Sequence, residues 1–121
     1  MQLVQIAQHV EDLDRATDFY TVLLNRPPLA RFDPPGLVFF DLDGVRLLLE
    51  REAPRALVYL RVDNVHEAIE RVRSIAEVVS APHVIFTHEN DLLGPPGHEE
   101  WQAFVRDSEG NLVGLVAFQR P

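Results

Sequence analysis

Val10-Glu-Asp12-Leu13-Asp-Arg-Ala16 and Val62-Asp-Asn64-Val65-His-Glu-Ala68 are one pattern written twice, 52 residues apart. The same offset pairs Val4 with Ala56, Ile6 with Val58, Leu23 with Ile75 and Leu24 with Ala76. A second echo sets Asp41-Leu-Asp-Gly44-Val-Arg-Leu47 against Asp107-Ser-Glu-Gly110-Asn-Leu-Val113, now 66 apart. The difference of 14 residues is an insertion in the second copy. It falls in Glu89-Asn-Asp-Leu-Leu-Gly-Pro-Pro-Gly97, whose Gly and Pro content reads as a loop. Each match is weak alone, but their shared order marks an internal repeat, which decides the fold.

Each copy reads as a strand, a helix and three strands. Leu3 to Val10 alternates as a half-buried strand does. Asp12 is placed to cap a helix whose Leu13, Ala16, Phe19, Tyr20, Leu23 and Leu24 form an apolar stripe, and Pro27-Pro28 is expected to end it. Strands follow near Ala30–Asp33, Leu37–Asp41 and Val45–Glu50, the last two joined by the tight turn Asp43-Gly44. The second copy repeats this with a strand over Ala56–Val62, a cap at Asp63 or Asn64 and a helix to about Ala76. Its remaining strands are expected near His83–His88, Glu100–Asp107 and Leu112–Phe118. The reading is an α+β domain over residues 1–121: repeat one about 2–50, a linker at 51–55 and repeat two about 56–118.

Composition narrows the function. Apolar residues make up 46% and charged residues 25%, an ordinary globular mixture. The net charge of −8 argues against nucleic acid or an anionic membrane as a partner, since both require a basic footprint. With no cysteine there is no disulfide, thiolate metal site or thiol nucleophile. No apolar run approaches the roughly 20 residues of a membrane span, and no secretion signal is visible, so a cytoplasmic protein is expected. Phosphate-loop, nucleophile-elbow and His-Glu-x-x-His patterns are missing.

A repeated βαβββ unit that opens Val10-Glu-Asp-Leu-Asp-Arg-Ala-Thr-Asp-Phe-Tyr20 and closes Asp107-Ser-Glu-Gly-Asn111 resembles the vicinal oxygen chelate superfamily. That group includes glyoxalase I, extradiol dioxygenases and bleomycin-resistance proteins, and the resemblance covers residues 2–118. It implies curved mixed sheets that form a cup, with helices on the outer face. It also implies a divalent metal held from the first and fourth strands of each copy, here at Gln5, Leu48, Leu57 and Gly114. Only Gln5 among these offers a donor, and hard divalent ions need several O or N ligands. The expectation is therefore no metal cofactor. A relocated metal would use Gln5 and Glu50 with one of His83, His88 or His98.

Strand alternation from these positions brings Gln5, His9, Arg46, Glu50, Leu57, Tyr59, Arg61 and Gly114 to the cup face. Trp101 is expected there too, with Phe104 toward the helix. His9, Arg46 and Arg61 favour an organic ligand bearing negative charge, its body stacked on Tyr59 or Trp101. The leading reading is a small-molecule-binding protein of the bleomycin-resistance kind, present as a homodimer. The alternative is a metal-dependent lyase, isomerase or dioxygenase. A third reading is a metal-free enzyme with His9 or Glu50 as general base.

Overall fold

The computed structural model describes residues 1–121. The first copy runs β1 (Gln5–His9), α1 (Leu13–Leu24), β2 (Ala30–Phe32), β3 (Leu37–Leu42) and β4 (Val45–Glu50). Asp12 caps α1, its side chain accepting from the Arg15 N–H. The helix stops earlier than Pro27-Pro28. Asn25 adopts the left-handed conformation, and the Asn25 and Arg26 N–H groups close back on Val22 and Thr21. Asn tolerates that conformation better than most residues, so it ends the helix before proline is needed. Asp43 and Gly44 both have positive φ, as a two-residue hairpin between strands with right-handed twist requires.

The second copy runs β5 (Val58–Arg61), α2 (Val65–Val72), β6 (Glu77–Thr87), β7 (Glu99–Arg106) and β8 (Leu112–Gln119). Asn64, not Asp63, is the cap, accepting from the His66 and Glu67 N–H groups. Two boundaries correct the sequence reading. The helix ends at Val72 and not near Ala76, and β6 begins at Glu77 and not His83. Pro82 inside β6 argues against a strand in the sequence. It is tolerated because β6 is the edge of its sheet and breaks register on both sides of Ser80.

The two sheets have the orders β1-β4-β3-β2 and β5-β8-β7-β6. In each, the first and fourth strands are parallel and the others antiparallel, so the architecture is α+β with two βαβββ units. The repeat offsets carry through to register. Ala7 lies opposite Leu48, and Tyr59, 52 residues on, lies opposite Gly114, 66 residues on. No helix is long and apolar enough to cross a membrane.

The chain divides into two compact units, Met1–Ala56 with Asp107–Asn111, and Leu57–Arg106 with Leu112–Pro121. In each, the helix covers one sheet face. Leu13, Ala16, Phe19, Tyr20 and Leu23 of α1 are buried in the first unit, as are Val38, Phe40, Leu47 and Leu49 of its sheet. Val65, Ala68, Ile69 and Val72 of α2 are buried in the second, with Ala103, Val105, Val113 and Leu115. The opposite face of each sheet carries the candidate residues.

Candidate functional site

On the open face of the first sheet, Gln5, Ala7 and His9 stand opposite Arg46, Leu48 and Glu50. Their polar groups engage each other or the chain beside them. The Arg46 Nε–H donates to Gln5 Oε1 at 3.0 Å, and its guanidinium lies 5.8 Å from the centre of the Phe39 ring. Both His9 nitrogens are engaged by the chain itself. Nδ1 is 2.8 Å from the Arg51 carbonyl and 3.1 Å from that of Ala53, and Nε2 is 2.8 Å from Glu11. The hydrogen bond to Glu11 holds the His9 pKa above its ordinary value and lowers that of Glu11. His9 thus ties down the linker.

The closing motif Asp107–Asn111 belongs to this same unit, and its role could not be read from spacing. Buried Glu109 accepts from the Glu11 and Asp12 N–H groups at 2.8 and 2.7 Å and pairs with Arg15. Burial pushes its carboxyl upward. The hydrogen bonds from Arg15, the Asp12 N–H, Ser108 and the Glu11 N–H outweigh that and hold the pKa at about 2. Asp107 accepts from the Tyr20 hydroxyl at 2.6 Å, and burial beside that carboxylate raises the Tyr20 pKa well above its usual value.

A cavity of about 500 Å³ also opens in the first unit. Asp12, Asp14, Asp33, Glu50 and Glu52 line it against Arg31 and Arg51, and Arg31 already pairs with Asp14 at 2.7 Å. Glu50 therefore contributes to an acidic wall, which disfavours an anion.

The open face of the second sheet is organised in rows across the strands. Tyr59, Gly114, Phe104 and Ser80 form one row, and Arg61, Val116, Gln102 and His83 the next. Phe118, Glu100 and Phe86 form a third. A Cβ on Gly114 would lie 2.7 Å from Tyr59 Cδ2 and 3.1 Å from Phe104 Cε1. The missing side chain is thus what lets Tyr59 lie across β8 and meet Phe104 edge-on, with ring centres 5.7 Å apart. Tyr59 remains 52% exposed, and Leu57 before it is exposed as well. The Arg61 guanidinium sits 5.0 Å from the centre of the Phe118 ring and makes no hydrogen bond or ion pair.

Trp101 corrects the sequence reading. It lies opposite Ala117, on the face with Ala103 and Val105, and its ring is 5.1 Å from that of His66 on α2. Phe104 takes the open face instead, because Gly114 leaves room for its ring there. The three reserve histidines do not converge. His83 is exposed with Nδ1 near the Ala81 carbonyl, and His98 Nδ1 is near that of Pro96. His88 is buried between Phe86 and Phe118 and bonded to Glu100 at 2.8 Å. Nothing in the sequence signals the His88–Glu100 pair, because a separation of twelve residues carries no local pattern.

No family model matches the chain, and no curated protein does. Solved structures do. A glyoxalase-related enzyme from Fulvimarina pelagi superposes with a TM-score of 0.69 at 17% identity, covering 97% of this chain and 88% of that one. Lactoylglutathione lyase from Agrobacterium tumefaciens gives 0.65 at 22%, covering 96% and 92%. TioX from Micromonospora sp. ML1 gives 0.65 at 21%, covering 97% and 94%. The chain has the vicinal oxygen chelate fold.

The metal position of that fold is not supported by these residues. Gln5 Oε1 is taken by Arg46, Leu48 is buried and apolar, and the space beside Gly114 is filled by the Tyr59 ring. The relocated pair fails on register. Gln5 lies opposite Arg46 and Glu50 opposite His9, so four residues of strand, about 13 Å, separate them. Oxygen ligands reach a divalent ion over only about 2.0–2.6 Å. No group of three or more His, Asp or Glu side chains is placed to hold an ion.

Proposed function

We propose that this chain is a binding protein of the glyoxalase and bleomycin-resistance kind that works without the usual metal ligands. Its ligand is a small organic molecule carrying a carboxylate or similar anion, received on the open face of the second sheet. Arg61 carries this reading. A guanidinium with no carboxylate partner, in a chain of net charge −8, is the group an anion would find. The Phe118 ring beside it, and the Tyr59–Phe104 pair in the next row of the same face, supply the apolar body of a small-molecule site. Arg46, His9 and Glu50 lie outside it, because their groups are engaged or face an acidic cavity.

The test is a titration of small monocarboxylates and their primary amides against wild type and Arg61→Gln. Acids should bind, amides should not, and the variant should weaken the acids by about ten-fold, the scale of one charge-assisted hydrogen bond. Equal behaviour of acids and amides, or an unchanged variant, contradicts the proposal. We also infer a cytoplasmic homodimer, in which a second copy covers sheet edges that each chain leaves open. A particle of 13.8 kDa at micromolar concentration in light scattering overturns the dimer. Residues 1–121 are taken as one cooperative domain, so a single calorimetric transition is expected and two separate transitions would split it.

A further inference from the structure

We propose that Tyr59, seated on Gly114, is a platform for an aromatic ring of the ligand, so that the ligand class is an arylalkanoate. This rests on the reading of Arg61 as the anion-binding group. The Tyr59 ring lies over Gly114 of β8, with Cδ2 and Cε2 close to where a Cβ would stand, and meets the Phe104 ring at 81°. Half of the Tyr59 surface is exposed, which leaves part of the ring open to a ligand. An offset or edge-on second ring is the partner such a ring prefers. Arg61 is two residues further along the same strand and on the same side, a backbone step of about 6.6 Å, and its guanidinium lies over the Phe118 ring. A ring stacked on Tyr59 therefore needs a short saturated link to place its carboxylate at Arg61. The two-carbon link of 3-phenylpropanoate carries its acid group away from the ring toward Arg61, whereas the carboxylate of benzoate is bonded directly to its ring. Gly114 acts through Tyr59: any side chain at that position meets the ring at 2.7 Å and lifts it from its seat.

The experiment compares 3-phenylpropanoate with 3-cyclohexylpropanoate, which has the same charge and nearly the same size, by NMR titration of the full chain. Wild type should prefer the phenyl acid by about five-fold. Tyr59→Leu should abolish that preference while leaving the cyclohexyl acid bound, and Gly114→Ala should abolish it too. A purely structural Tyr59 would lower the melting temperature of its variant without touching the ratio between the two acids. Equal affinities in wild type, or a preference that survives Tyr59→Leu, overturn the platform and leave the Arg61 reading standing. Failure of both acids to bind wild type overturns both. Should Gly114→Ala fail to fold, Tyr59→Leu alone decides.

Discussion

The open faces of the two sheets have one backbone register and opposite chemistry. In the first, each polar group at a candidate position except Glu50 is tied to a neighbour: Arg46 to Gln5, and His9 to Glu11 and the linker carbonyls. At the matching positions of the second, Leu57 and Leu112 replace Gln5 and Arg46, Gly114 replaces Leu48, and Arg61 replaces His9. There the polar group has no hydrogen-bond or ion-pair partner, and the lost side chain makes room for a tyrosine ring. Duplication keeps the frame, and the binding chemistry depends on which donors the frame leaves unpaired. The first face has its donors tied down by neighbours, and the second leaves the Arg61 guanidinium without a hydrogen bond or ion pair.

The closing turns differ in the same way, and here the largest effect is expected. Asp41 is exposed and accepts from the Gly44 N–H. Asp107 is buried and accepts from the Glu109 and Asn111 N–H groups, the Tyr20 hydroxyl and the Asn111 amide. Asp107→Ala leaves several buried donors without a partner and should cost about 3–5 kcal/mol in urea unfolding, against less than about 1 kcal/mol for Asp41→Ala. Equal costs would erase the distinction between the turns.

A smaller effect concerns acid. Glu109 is held at about 2, below its ordinary 4.5, so its contribution to stability is full above pH 4.5 and is lost as pH falls toward 2. Glu109→Gln should flatten that acid limb, and an unchanged slope would place the acid sensitivity elsewhere. The smallest effect is at His9, whose raised pKa makes its contribution full below pH 6.5 and lost as pH climbs past the folded value. His9→Gln should lower the melting temperature slightly at pH 6 and not at pH 9. A loss of equal size at both would mean that the linker tie does not depend on charge.

Much of this frame is legible in the sequence. The two offsets between copies set the pairing of β1 with β4 and of β5 with β8, because side-chain alternation leaves no freedom once a register is chosen. The expectation for Trp101 fails because it rests on giving Phe104, of opposite parity, to the helix side, although Trp101, Ala103 and Val105 form an apolar period-two run. The room for Phe104 comes from Gly114, on another strand, and only the folded sheet brings the two together. Likewise His9 looked like a ligand residue because sequence shows which face it lies on and not which carbonyls the linker offers it.

The most direct test sets the two arginines against each other in one sample. The side-chain Nε–H signals of Arg46 and Arg61 are followed by NMR while 3-phenylpropanoate is added to wild-type protein. The Arg61 signal should shift in a saturable way as it gains a carboxylate partner, and the Arg46 signal, bonded to Gln5, should hold its position. A saturable shift of Arg46 with Arg61 unmoved would contradict the assignment of the binding face to the second sheet.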